Sequence, residues 1–191
     1  ILDIPQTFLT WFVIDWKVRV IRRPLYGEEL TIRTWGRDAA RSFSYRDFEI
    51  YVNDELCVQA TSKWALLNVA TRSFESVTPK LLQRYGNEDS MSTFAERELE
   101  HMMVLDEYDS RTPITIRKSD LDFNGHVNNV KYFDFLIDYA NVPEFNDFRI
   151  TYRKEIRKED EVYLCHSKVD NKDMFAIIDA EGQVKTIIEC E

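Results

Sequence analysis

The sequence predicts an α+β protein made chiefly of antiparallel sheet, and three observations carry that prediction. Alternating, β-rich runs recur at short spacing through most of the chain. Compact turn clusters separate several of them, among them Asn53-Asp54 and Glu181-Gly182-Gln183. One long stretch, residues 129–140, carries apolar residues at helical spacing: Val130, Phe133, Leu136, Ile137 and Ala140.

The elements follow in order. Residues 11–35 read as two strands, WFVIDWKVRVI and GEELTIRTW, parted by Pro24, Tyr26 and Gly27. Strands at 41–52 and 55–68 come next, joined by a tight hairpin at Asn53-Asp54. Strands joined by short connections predict an antiparallel meander. Residues 79–86 read as a short helix opened by Pro79 and closed near Gly86. The charged stretch 87–112 reads as a solvated linker. A short strand at 114–118 leads into a polar loop, and Asn128 or Asn129 is the expected N-cap of the 129–140 helix. After a turn at 142–147, strands are expected at 148–156, 161–169, 174–179 and 184–190, with turns at 171–173 and 181–183. Three segments result: 1–86, the linker 87–112, and 113–191. A weak internal repeat relates GEELTIRTW to EDEVYLCHS.

Composition narrows the function. Hydrophobic residues make up 44% of the 191 residues, which supplies a packed core. Acidic residues outnumber basic ones, 34 to 25, for a formal charge of −9, and this argues against a nucleic-acid binder. Apolar runs fall far short of a bilayer span, and no signal peptide is evident. Cys57, Cys165 and Cys190 are widely spaced, as in a cytoplasmic protein with reduced thiols, and no Cys/His cluster suggests a metal. Trp11, Trp16, Trp35 and Trp64 fall on predicted strands, as core residues or as lining for an apolar cleft.

The loop before the helix holds the chemistry. Asp122, Asn124 and His126 occur at i, i+2 and i+4, so an extended run would aim all three one way. A proton carrier, an amide and the amides of a helix N-terminus suit hydrolysis of an acyl bond. The same Asx residues serve equally well as turn formers and caps.

The string DLDFNGHVNNVKYFDF resembles the signature D-L-D-x-N-x-H-V-N-N-x-x-Y of the plant and bacterial acyl-acyl carrier protein (acyl-ACP) thioesterases. A second family motif, Y-R-x-E-C, has its counterpart in Tyr152-Arg153-Lys154-Glu155-Ile156. The resemblance implies a double hotdog fold, each half an antiparallel sheet wrapped around a central helix. It implies hydrolysis of the thioester between a fatty acyl chain and the carrier protein; the alternatives are a hotdog thioesterase acting on acyl-CoA and a non-catalytic acyl-carrier-binding module. Asp122, Asn124 and His126 match the family's catalytic Asp, Asn and His, and Glu155 matches its catalytic-site Glu. The Cys that often follows is Ile156 here, so a thiolate mechanism at that position is closed and water attack is the more economical route.

The implied partner is an acyl carrier protein bearing a phosphopantetheine-linked acyl chain. A homodimer is allowed, and no cofactor, metal, nucleic acid or membrane is called for. Two basic groups, Arg19/Arg22/Arg23/Arg33/Arg37/Arg41 and Arg149/Arg153/Lys154/Arg157/Lys158, read either as solvated strand faces or as docking surface for that acidic partner. The resemblance also places a strand and a helix ahead of Ile1. We expect both to be missing from this chain, leaving apolar surface exposed on the first sheet.

Overall fold

The computed structural model describes residues 7–140 and 144–191. They form two compact units, Ile1–Glu100 and His101–Glu191. The expected loss of a leading strand and helix falls outside the described residues.

The first unit contains β1 (Leu9–Val20), β2 (Thr31–Ala40), β3 (Phe43–Val52), β4 (Glu55–Asn68), β5 (Ser73–Phe74) and a short helix α1 (Pro79–Gln83). Asn53 and Asp54 take left-handed φ angles of 48° and 63°, the geometry of a two-residue type I′ turn, and β3 and β4 pair across it as predicted. The simple meander needs correction, because β1 pairs with β4 and not with β2. Sheet order is β2-β3-β4-β1, with β5 on the end of β4. The amides of Ile21 and Arg22 both donate to Cys57 O, at 2.8 and 3.1 Å, which carries the chain on along β4 past the end of β1. Helix α1 opens as predicted at Pro79, with Thr78 Oγ1 accepting from Leu81 N.

Residues 87–97 are mostly exposed, as a solvated linker would be, but they are tied to the first sheet. They form a strap over one face of this sheet. Thr93 N donates to Asp47 Oδ2 at 2.9 Å, Thr93 Oγ1 to Glu49 at 2.9 Å, and Gln59 Nε2 to Thr93 O at 2.6 Å. Phe94 is buried and sits under Lys17 Nζ, 4.6 Å from the ring centre. Arg37, grouped with the docking arginines on sequence alone, is fully buried. Its guanidinium lies 3.3 Å from the equally buried Asp47 and donates to Ser92 Oγ and Arg97 O. A charge is tolerated there because Asp47 lies beside it and both terminal nitrogens donate to oxygens, while Nε makes no hydrogen bond.

Gly36 lets the strap approach. A Cβ at that position would stand 2.5 Å from Asn87 Oδ1, whose own amide donates to Arg37 O. Gly36→Ala is therefore expected to push Asn87 off that bond and to cost about 1–3 kcal/mol in urea unfolding. An unchanged midpoint would show that the strap is not held there.

The second unit contains β6 (Ser110–Ile114), a 3-10 turn (Lys118–Asp120), helix α2 (Lys131–Tyr139), β7 (Asp147–Tyr152), β8 (Val162–Val169), β9 (Lys172–Asp179) and β10 (Val184–Cys190). Strand order is β7-β10-β9-β8-β6. The predicted repeat reappears as topology: β2-β3-β4-β1 in the first unit corresponds to β8-β9-β10-β7 in the second, with β2 and β8 carrying the two similar strings. Helix α2 packs against β6 and β8. The core gathers Phe135, Leu136, Ile150, Leu164, Phe175, Ile177, Ile187 and Ile188, all essentially free of solvent.

Several boundaries shift from expectation. Strand β6 ends at Ile114, where a strand was expected to begin, because Asp120 Oδ2 takes the Arg117 amide at 2.7 Å and turns the chain. Strand β7 stops at Tyr152, since the amides of Arg153 and Lys154 turn to Lys185 O at 2.8 and 3.1 Å. The β8–β9 turn is centred on Asp170, with φ 55°, and Lys172 and Asp173 are already in strand.

The buried face of α2 is also rotated from the predicted stripe. Tyr132, Phe135 and Leu136 face inward, while Val130 and Ile137 are 70% and 74% exposed. Tyr132, Phe135, Leu136 and Tyr139 form an equally regular i, i+3, i+4, i+7 stripe. Tyr132 stacks edge-on against Tyr152 with ring centres 5.2 Å apart, and Tyr139 OH accepts from Thr115 N at 3.2 Å. Larger rings with polar handles win the inward face.

Candidate active site

Residues 122–126 do not form the extended run that spacing alone suggested. They close a tight turn between Leu121 and Val127, which bridge antiparallel. Asp122 N donates to His126 O at 2.7 Å, Gly125 N to Asp122 O at 3.1 Å, and Gly125 takes φ +78°. The Asp122 carboxylate organises the turn from inside. Its Oδ1 accepts from Asn124 N at 2.8 Å and His126 N at 3.1 Å, and its Oδ2 from Asn124 Nδ2 at 3.3 Å. Partial burial pushes the Asp122 pKa upward. The His126 and Asn124 amides, the Asn124 side chain and the His126 charge outweigh that push, and the group lies below the usual carboxylate range.

This shift carries a prediction. The folded pKa of Asp122 is below its unfolded one, so its contribution to stability is present above the ordinary carboxylate range. It is lost as pH falls through the lowered value. Asp122→Asn should therefore melt below the parent at pH 7, with the gap closing as pH falls below the ordinary carboxylate range. A gap that stays constant across that range would contradict the assignment.

The loop docks on the second motif. Val127 N donates to Ile156 O at 2.8 Å, and His126 bridges Arg157. Ile156, standing where the Y-R-x-E-C motif has its Cys, is fully buried and anchors the segment by packing. The two adjoining motifs thereby bring His126 Nε2 to 3.0 Å from Glu155 Oε2. Glu155 is half exposed, and Arg157 lies 3.5 Å from the same carboxylate oxygen. Asp122, Asn124, His126 and Glu155 thus form one connected set.

The helix start is tied down as well. Asn128 Oδ1 accepts from Val130 N at 3.2 Å as an Asx turn, and Val130 occupies the cap with no side-chain bond. Helix α2 therefore starts two residues later than expected. The amides of Lys131 and Phe133 donate to Asn128 O and Val130 O. Tyr152 OH, whose pKa burial raises, donates to Asn129 O at 3.1 Å. Asp120 is fully buried under the loop, its carbonyl accepting from Asn128 N at 2.8 Å. Periodicity gave Asp120 and Arg157 no role in the site.

All three cysteines are free and buried, and burial with the nearby Asp173 and Glu189 carboxylates pushes Cys190 up to about 12. Burial likewise raises Cys165. Such thiols are poor nucleophiles.

The fold is that of the hotdog thioesterases. The chain superposes on a 12:0-ACP thioesterase from Umbellularia californica with a TM-score of 0.80 at 21% identity, covering 100% of this chain and 77% of that one. It superposes on an acyl-ACP thioesterase from Bacteroides thetaiotaomicron with a TM-score of 0.83 at 20% identity, covering 98% and 78%. Residues 3–85 match the acyl-ACP thioesterase N-terminal domain, and residues 104–191 match the acyl-ACP thioesterase C-terminal domain. The chain belongs to the acyl-ACP thioesterase family.

Curated relatives agree. A chloroplastic acyl-[acyl-carrier-protein] hydrolase of Cuphea viscosissima is 28% identical over 161 residues, 79% of this chain and 39% of that protein. A chloroplastic oleoyl-acyl carrier protein thioesterase of Coriandrum sativum is 26% identical over 171 residues, 81% of this chain and 46% of that protein. The chain spans less than half the length of these relatives. Among the described residues, no helix is long and apolar enough to cross a membrane.

Proposed function

We propose that this chain hydrolyses the thioester of fatty acyl-acyl carrier protein, releasing a free fatty acid and the carrier thiol. The observation that carries this is the 3.0 Å contact of His126 Nε2 with Glu155 Oε2, made across two family motifs beside a turn locked by Asp122. Glu155 accepts from Nε2–H, which leaves Nδ1 as the basic ring nitrogen. His126 takes a proton from water as the oxygen attacks the thioester carbonyl. Asn124 Nδ2 has two hydrogens. One goes to Asp122, and the other is available for the developing oxyanion. The N-terminal end of the α2 dipole supports that charge. Collapse of the tetrahedral intermediate expels the phosphopantetheine thiolate, which takes the proton from His126.

Burial of all three thiols supports water attack over a cysteine route, and their free state fits the reducing environment of the cytoplasm, although the named plant relatives are chloroplastic. A hotdog thioesterase acting on acyl-CoA would use the same site. Acyl-ACP and acyl-CoA of equal chain length, compared at equal concentration, separate the two. Faster release from acyl-ACP is expected, and release from acyl-CoA alone would change the partner while keeping the chemistry.

A further inference from the structure

The Glu155 segment is held at both ends by one residue that carries no motif. Lys185 sits at an irregularity in β10, where the register against β9 shifts between Val184 and Thr186. Its carbonyl oxygen accepts from Arg153 N at 2.8 Å and Lys154 N at 3.1 Å, immediately ahead of Glu155. Its side chain is almost buried. The ammonium lies 3.0 Å from Asp179 Oδ2 and 4.0 Å from Asp160 Oδ2. Asp160 in turn takes the Arg157 amide at 3.0 Å and donates its own amide to Arg157 O at 3.2 Å, closing the turn just after Glu155. Asp179 is fixed independently, its Oδ1 accepting from Gln183 N at 2.7 Å in the β9–β10 turn. A rigid hairpin therefore reaches under the loop and grips it on either side of the carboxylate that faces His126.

We propose that Lys185, acting with Asp160 and Asp179, is a positioning residue that sets the Glu155 carboxylate against His126. The proposal rests on the thioesterase reading above. A half-exposed Glu on a turn has many rotamers and backbone positions open to it, and a displacement of about 1 Å in a catalytic group can lower turnover by ~100-fold. The backbone half of the clamp survives substitution of Lys185, so side-chain variants test the ammonium alone.

The test is a double-mutant cycle in thiol release from acyl-ACP, using Lys185→Met, Glu155→Gln and the double variant, with Lys185→Arg as the conservative control. Lys185→Met is expected to lower kcat by roughly 10-fold with KM unchanged, and Lys185→Arg to recover most of the loss. In the Glu155→Gln background, Lys185→Met is expected to cost nothing further, because its effect runs through Glu155. Multiplicative losses, or full activity in Lys185→Met, would overturn the proposal. Should Lys185→Met fail to fold, Asp160→Asn on the exposed side of the clamp replaces it, with the same non-additivity expected. No loss in Glu155→Gln would also overturn the proposal, whereas no thiol release from any acyl-ACP by the folded parent would sink the thioesterase reading itself.

Discussion

Glu155→Gln is expected to lower turnover of acyl-ACP by about 100- to 1,000-fold while leaving the unfolding midpoint where it is. The carboxylate is half exposed, and its partners are His126 Nε2 at 3.0 Å and Arg157 at 3.5 Å. Its removal costs little packing. What it removes is the negative charge that fixes the His126 tautomer and steadies the imidazolium formed when His126 takes the water proton. An amide keeps the shape and can still accept a bond through its oxygen, but it carries no charge to stabilise that cation. KM should be nearly unchanged, since Glu155 acts on the proton and not on the acyl chain. Turnover within a few-fold of the parent would remove Glu155 from the mechanism.

The largest effect on stability is expected in the first unit. Asp47→Ala leaves the Arg37 guanidinium buried beside an empty space, and also strips Thr93 N of its acceptor. Breaking one side of a buried ion pair typically costs about 3–5 kcal/mol, because the remaining charge cannot reach water and here keeps only the half-exposed Asp38, 3.8 Å from Arg37 Nε. Urea unfolding should show a loss in that range. Combining Asp47→Ala with Arg37→Met should cost less than the two single changes together, since the orphaned charge is then gone. A loss under about 1 kcal/mol for Asp47→Ala would mean that Arg37 finds solvent in its absence.

The strand content was legible because alternation and turn chemistry are local. Asn53-Asp54 specified a hairpin, and β4 ends where its pattern ends. Pairing was less legible. That β1 lies on β4 rests on a register running from Leu9 on Asn68 to Val20 on Val58, between residues far apart in sequence. The strap at 87–97 looked solvated because its residues are charged. Its attachment follows from Asp47 and Gln59 meeting the backbone of Thr93 and Glu49 meeting its hydroxyl, which composition does not encode.

The site divides in the same way. Which residues belong to it came from two motifs, and the structure joins them through Val127 N on Ile156 O. How they are joined did not. A period-2 reading of Asp122, Asn124 and His126 assumed a strand, but the Asp122 carboxylate competes for the backbone amides and wins a turn. The helix face was misread for a comparable reason. Val130 and Ile137 are as apolar as the core requires, yet Tyr132 is buried in their place and the Tyr139 hydroxyl takes the Thr115 amide.

The most direct measurement is release of free thiol from a series of acyl-ACPs of increasing chain length, with the parent and His126→Ala assayed side by side. The account predicts release from at least one member of the series by the parent and a loss of about 100-fold or more in His126→Ala, with both proteins equally folded. Equal release by the two proteins, or no release from any acyl-ACP by the folded parent, would contradict it.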